Sequence, residues 1–179
     1  PSLALLTLGT LAQNAGHKVK LYHLDIEDID LDAELLSFKP DIVGITCNTF
    51  QVKSARQLAS QVKRVSKDIM VVVGGPHAGV WDGEADRVVV GEGDNQWLEL
   101  LGEPPLASID DMPLYNYDLV DMRYFSGVAP VGAVPSTVVF GSRGCPYNCS
   151  FCNTPIFWGR KVRYRKPENI VAQIAYLHA

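Results

Sequence analysis

Four short apolar runs organise the first half of the chain: Val19-Lys20-Leu21-Tyr22-His23-Leu24, Ile42-Val43-Gly44-Ile45-Thr46, Ile69-Met70-Val71-Val72-Val73-Gly74 and Arg87-Val88-Val89-Val90. The middle two are nearly unbroken in Val and Ile, the pattern of strands covered on both faces, and so predict a parallel sheet. Between them Val52, Ala55, Leu58, Ala59, Val62 and Val65 recur at helical spacing along one side. Residues 1–13 are Leu-rich and stop near Gly16, a residue suited to the left-handed position after a helix. Helix alternating with strand over this length predicts a doubly wound, Rossmann-like α/β domain. Such a domain opens on a strand whereas this chain opens on a helix, so the numbering is expected to start inside a longer protein whose first strand precedes Pro1.

Further on, from residue 102 to 134, the periodicity fades, and Pro104, Pro105, Pro113 and Pro130 punctuate a stretch that reads as a linker. Ser136-Thr137-Val138-Val139-Phe140 then predicts a strand ending at Gly141. Pro167 fits the first position of a helix with Glu168 in its first turn, and Ile170, Val171, Ile174 and Leu177 continue at helical spacing. Strand, loop and helix in this order form the first βα unit of a parallel barrel, with its site at the carboxyl end of the strand.

With 179 residues and 47% apolar content the chain is large enough for a globular core, and it carries no run long enough to span a membrane. The net charge of −4 hides an asymmetry: residues 1–121 hold nine Lys and Arg against nineteen Asp and Glu, and residues 122–179 hold seven against one. The basic set is Arg123, Arg143, Arg160, Lys161, Arg163, Arg165 and Lys166. Positive charge there would favour thiolates and anionic ligands, and a solvated basic strand and helix start would account for it equally well. Nucleic-acid binding would also use such a patch, but no aromatic stacking repeat or known module accompanies it. The acidic run Asp28-x-Asp30-x-Asp32 begins like a calcium loop. Ala33 stands where that loop needs Gly and Lys39 where it needs Glu, so a solvated turn leading into a helix around Leu35 and Leu36 is expected.

The chemistry concentrates in Cys145-Pro-Tyr-Asn-Cys149-Ser-Phe-Cys152. Three thiolates on one short loop suit three irons of a [4Fe-4S] cluster and leave the fourth iron open to a small molecule. Structural zinc would need a fourth ligand; the remaining cysteine, Cys47, and His17, His23 and His77 all lie far upstream, and only His178 follows. A disulfide would need an oxidising compartment, and no secretory leader pattern opens the sequence as given. A cytoplasmic setting is expected.

The stretch Gly141-Ser142-Arg143-Gly144-Cys145-Pro146-Tyr147-Asn148-Cys149-Ser150-Phe151-Cys152 resembles the signature of radical S-adenosylmethionine (SAM) enzymes, in which an aromatic residue precedes the last cysteine. The resemblance implies that Cys145, Cys149 and Cys152 hold the cluster and that Phe151 lies beside the adenine of SAM. It also implies a partial TIM-type barrel, truncated here after its first βα unit, reductive cleavage of SAM to a 5'-deoxyadenosyl radical, and a reductant such as flavodoxin or ferredoxin.

Open parallel sheets bind ligands beyond the carboxyl ends of their strands, which directs attention to Thr46-Cys47-Asn48-Thr49, Gly74-Gly75-Pro76-His77 and Gly91-Glu92-Gly93. None carries a dinucleotide fingerprint or a Walker lysine. Together with Lys39-Pro40-Asp41-Ile42-Val43-Gly44-Ile45 they resemble the cobalamin-binding domain that precedes the barrel in one subclass of radical SAM enzymes. The resemblance implies cobalamin contacts from Thr46, Cys47, Asn48, Gly74, Gly75, Pro76, His77, Gly91, Glu92 and Gly93; glycines would admit a bulky ligand close to the backbone. A plain strand-to-helix turn at 74–77 and a buried packing role for Cys47 account for the same residues. The D-x-H-x-x-G sequence that supplies an axial histidine to cobalt is not found in this chain.

The expected organisation is a cobalamin-binding domain over 1–105, a linker over 106–133 and the start of a radical SAM barrel over 134–179. The implied activity is methyl transfer to an unactivated carbon of a small-molecule or peptide substrate, with the fragment alone inactive. Oxidative cyclisation or ring rearrangement within the same family is the alternative, and a non-catalytic cobalamin- and metal-binding module is the alternative from another class.

Overall fold

The computed structural model describes residues 2–121 and 137–178. Along the chain run α1 (Leu3–Asn14), α2 (Leu31–Phe38), β1 (Ile42–Thr46), α3 (Val52–Val65), β2 (Met70–Gly74), β3 (Arg87–Val88), α4 (Asp94–Leu101), β4 (Ser142–Arg143), α5 (Thr154–Trp158), β5 (Arg163–Tyr164) and α6 (Pro167–His178). These form two compact units: Ile26–Gly93 with Tyr147–Trp158, and Pro1–Asp25 with Asp94–Pro146 and Gly159–Ala179.

The first of these units is built on a parallel sheet in the order β1-β2-β3. Ile42 lies opposite Met70 and Thr46 opposite Gly74, so the two Val/Ile runs end level with each other. α3 lays the expected stripe on the sheet: Ala55, Ala59 and Val62 are buried in one cluster with Ile45, Val71 and Val73, and Leu58 and Val65 pack at its edge. Lys63, near the end of α3, fastens helix to sheet. Its Nζ donates to the Ile69 carbonyl at 2.7 Å and lies 2.5 Å from Asp86, whose Oδ2 also accepts from the Val71 N–H at 2.6 Å. The Lys63 ammonium, followed by that backbone N–H, holds the Asp86 carboxyl below its ordinary range. α2 follows the acidic turn as expected, with the Asp30 carboxylate accepting from the Ala33 N–H at 3.1 Å.

In the second unit α1 ends as its sequence predicts, with Gly16 at φ 88° and the His17 N–H donating to the Ala12 carbonyl at 3.0 Å. Leu6, Tyr115 and Tyr117 form a core onto which Leu3, Leu119, Phe140 and Leu177 pack. Residues 109–120 therefore belong to a packed segment, although their sequence reads as a linker. Polar side chains pin it: Gln173, buried in α6, accepts from the Tyr115 N–H at 3.0 Å, and Asp110 accepts from the Lys166 N–H at 2.6 Å, just ahead of α6. That backbone donor is the leading cause of the lowered Asp110 pKa.

Three expected strands differ from the structure. Residues 19–24 are not a member of the three-stranded sheet. They belong to the unit that contains α1, where Val19 and Leu21 stand on the same side as Gly9; the apolar alternation is satisfied by packing on a helix instead of by a ladder. The run at 87–90 pairs over Arg87–Val88 alone, after which the Val89 N–H donates to Val73 and the chain turns at Gly91, φ 82°. Among the described residues of the run 136–140 no strand forms: Phe140 joins the core instead, and pairing begins two residues later, where β4 meets β5 antiparallel. Ser136 and the linker residues from 122 to 134 lie outside the described residues, as do Arg123 and Pro130. α4 and α5 were not anticipated from the sequence pattern.

Candidate functional site

The carboxyl edge of the sheet gathers the turns that follow β1, β2 and β3. The Cys47 N–H donates to the Gly74 carbonyl at 3.1 Å and the His77 N–H donates to the Cys47 carbonyl at 3.3 Å, which ties the first two turns together. Gly75 sits inside this closure at φ 96°, and a Cβ built there would stand 2.6 Å from the Thr46 Oγ1 and 2.7 Å from the Cys47 carbonyl. Its missing side chain makes room for the neighbouring turn of the protein itself. Gly74 is different: a Cβ there would meet Val89 at an ordinary 3.8 Å. Cys47 is 1% exposed and part of the core cluster, and burial pushes its thiol pKa up. It is a packing residue, not a group presented to a ligand.

Asn48 caps the 3₁₀ turn Thr49–Gln51, accepting from the Phe50 N–H at 3.0 Å and the Gln51 N–H at 3.2 Å, while Gln51 Oε1 accepts from the Asn48 N–H at 3.3 Å. Its side-chain oxygen is thus engaged with the turn. His77 Nδ1 lies 3.3 Å from the Thr49 hydroxyl. Phe50, which sequence reasoning passed over, projects from the capped turn with 97% of its surface exposed. After β3, Gly91, Glu92 and Gly93 turn the chain, and a Cβ on Gly91 would lie 3.6 Å from the Phe157 carbonyl at the end of α5.

The cysteine loop follows β4. Gly144 stands at φ 94°, where a Cβ would run into the Lys161 carbonyl, and the next residue's N–H, that of Cys145, donates to the Gly159 carbonyl at 3.1 Å. The stem of the loop thus depends on a glycine that no L side chain would replace without strain. Cys145, Cys149 and Cys152 are all free thiols, with Cys149 exposed and the other two partly so. The Cys152 N–H donates to the Cys149 carbonyl at 3.1 Å, a turn that joins these two ligand positions. The Thr154 hydroxyl lies 3.2 Å from the Cys152 sulfur and the Thr154 N–H donates to it at 3.5 Å; these two contacts lower the Cys152 pKa. Favouring the thiolate is what a metal ligand requires. Among the described residues no three His, Cys, Asp or Glu side chains form a ready metal-holding group, so the fit to a cluster rests on the donors: three free thiols on one accessible loop, one of them with a lowered pKa. Phe151 is 90% exposed, so its ring is not part of the core.

Arg143, two residues before Cys145, is buried at 8% exposure and donates through Nη1 to Asp94 Oδ2 and through Nη2 to Asp94 Oδ1 at 3.5 Å. Its guanidinium lies 4.8 Å from the Phe140 ring centroid and 3.5 Å from the Met112 sulfur. Arg165 is also buried, 5.3 Å from the same ring centroid. Two members of the basic set are therefore interior groups and not part of a solvated patch. Asp94 went unnoticed in the sequence; its one signal is its place directly after the Gly91-Glu92-Gly93 turn.

A parallel α/β sheet with glycine-bearing turns at its carboxyl edge is the arrangement of a ligand-binding domain, and it is followed in the chain by a three-thiol loop, a candidate metal-binding segment. A family profile described as the B12 binding domain matches residues 1–101, and the chain belongs to that family. It is 30% identical to an uncharacterized methyltransferase of Pyrococcus horikoshii over 99% of this chain and 46% of the relative. It is 33% identical to the bacteriochlorophyllide d C-8(2)-methyltransferase of Chlorobaculum tepidum over 75% of this chain and 32% of the relative. In fold it is similar to the radical S-adenosylmethionine methyltransferase TsrM of Kitasatospora setae, solved with cobalamin and a [4Fe-4S] cluster bound, with a TM-score of 0.65 at 21% identity over 97% of this chain and 43% of that one. The chain thus spans less than half the length of each of these proteins.

Proposed function

We propose that this chain is the cobalamin-binding and cluster-binding portion of a cobalamin-dependent radical SAM methyltransferase that modifies an unactivated carbon. The observation that carries the reading is the union, in one chain, of a B12-binding domain and a C-x3-C-x2-C loop of free thiols. Methyltransferases among the relatives support methylation as the outcome. In this reading 1–105 form the cobalamin-binding domain, 106–133 the connector and 134–179 the opening of the radical SAM barrel.

Cys145, Cys149 and Cys152 would hold the cluster, and the exposed Phe151 would offer its ring to the adenine of SAM. Thr46, Asn48, Gly74, Gly75, Pro76, His77, Gly91, Glu92 and Gly93 would form the rim on which cobalamin rests, with Gly75 shaping the rim from within. When bound, the cluster with SAM supplies one-electron activation of a C–H bond and cobalamin supplies the methyl group. The chain's own contribution is to present the three thiols on one accessible loop, to lower the Cys152 pKa through Thr154, and to tie the turns of the sheet edge together through the Cys47 backbone hydrogen bonds. A flavodoxin or ferredoxin would serve as reductant and the setting would be cytoplasmic. No helix among the described residues is long and apolar enough to cross a membrane. The test is anaerobic: the product of the complete gene, reduced and supplied with SAM and cobalamin, is expected to cleave SAM to methionine and 5'-deoxyadenosine, with a methylated product only when a carbon acceptor is added. Absence of SAM turnover from cluster-loaded protein would overturn the reading.

A further inference from the structure

We propose that Asp94 is a positioning residue for the cluster loop, acting through Arg143. The inference rests on the radical SAM reading and adds to it the group that fixes the loop's entry. Asp94 opens α4 and is 7% exposed; Arg143 closes β4 and is 8% exposed; both side-chain oxygens of the one face both terminal nitrogens of the other. A forked guanidinium–carboxylate pair fixes orientation as well as charge. Phe140 and the Met112 sulfur lie against the guanidinium. Arg143 leads directly into Gly144, held at φ 94° where a Cβ would overlap the Lys161 carbonyl, and Gly144 leads directly into Cys145. Three residues before Asp94, Gly91 lies against the Phe157 carbonyl, past the exit from the same loop.

A buried pair invites the rival explanation that it serves stability alone, and the variants separate the two. Asp94→Asn removes the carboxylate charge and is expected to lower stability. Asp94→Asn combined with Arg143→Met removes both charges and leaves an apolar side chain beside Phe140 and Met112, so it should regain much of the parental thermal midpoint. The product of the complete gene, reconstituted anaerobically, is examined by iron and sulfide content, far-UV circular dichroism and electron paramagnetic resonance of the reduced cluster with and without SAM. The double variant is expected to fold and keep its iron, yet to show a broadened cluster signal and SAM binding weakened roughly 10- to 100-fold, the scale of effect produced by small misplacement of a reacting group. A folded double variant with the parental SAM-dependent signal and affinity would overturn the proposal and leave the pair a purely structural one. Should both variants fail to fold, Asp94→Glu, which keeps the charge and displaces the carboxylate by one methylene, decides by the same criterion: a shifted signal upholds it and a parental signal overturns it. A parent that assembles no cluster would instead defeat the radical SAM reading itself.

Discussion

Replacing Gly75 by Ala is expected to destabilise the sheet-bearing unit by about 2–5 kcal/mol. Two contributions add. At φ 96° a residue with a Cβ occupies a backbone region that costs about 1–2 kcal/mol outside glycine. The new methyl would also stand 2.6 Å from the Thr46 Oγ1, 2.7 Å from the Cys47 carbonyl and 3.0 Å from the Cys47 nitrogen, and relieving such overlap in packed surroundings costs about 1–3 kcal/mol. The atoms that must give way carry the hydrogen bonds from Cys47 to Gly74 and from His77 to Cys47, so the edge that would cradle cobalamin opens with them. Gly74→Ala is the control, because its Cβ meets nothing closer than 3.8 Å; it is expected to stay within about 1 kcal/mol of the parent. Urea denaturation of the cobalamin-free protein, followed by circular dichroism, measures both, and a thermal melt should show a drop of roughly 4–20 °C for Gly75→Ala, at about 2–4 °C per kcal/mol. A Gly75→Ala protein within about 0.5 kcal/mol of the parent would refute the assignment of Gly75 to the closure of its own turn.

Other outcomes follow from the same geometry. Cys145→Ala, Cys149→Ala and Cys152→Ala are each expected to lose cluster iron and SAM cleavage, whereas Cys47→Ala keeps the iron, since that thiol is buried in the core of the sheet; iron analysis decides, and iron loss in the Cys47 variant would contradict the ligand set. Phe151→Ala should weaken SAM binding with iron content unchanged, because its ring is exposed and supports no core. Asp86→Asn should cost about 1 kcal/mol after allowance for solvent screening of its contact with Lys63. The lowered Asp86 pKa means this stabilisation is present above the ordinary carboxylate range and is lost as pH falls through the folded value, so the parent and variant stability curves should converge in acid. Burial, the leading cause, pushes the Tyr115 pKa up to about 12 from 10; its stabilisation is complete below pH 10 and declines as pH rises toward 12, a decline that Tyr115→Phe should remove from alkaline unfolding curves.

What the sequence made legible follows the range of the forces involved. β1, β2 and α3 stood out because their burial is repeated at every second, third or fourth residue, a local record of a core. The run at 19–24 misled because alternation reports a buried face without reporting what covers it, and here part of that cover is a helix. The stretch 109–120 looked like a linker because its order comes from single long-range bonds, such as Tyr115 to Gln173, which leave no periodicity. The cysteines were plain, since ligand spacing on one loop is local chemistry. The Asp94–Arg143 pair joins residues 49 apart, and each taken alone is an ordinary charged residue. Gly75 reads in the sequence as space for a ligand near the backbone, whereas the position of its missing Cβ faces the turn across from it, a neighbour 28 or 29 residues earlier that leaves no local signal.

The central claim, that one chain carries both a B12-binding domain and a radical SAM cluster loop, is tested most directly by elemental analysis of the product of the complete gene purified without oxygen and equilibrated with cobalamin. The account predicts about four irons and four sulfides per chain bound through Cys145, Cys149 and Cys152, together with about one cobalt. A single zinc with neither sulfide nor cobalt would contradict it.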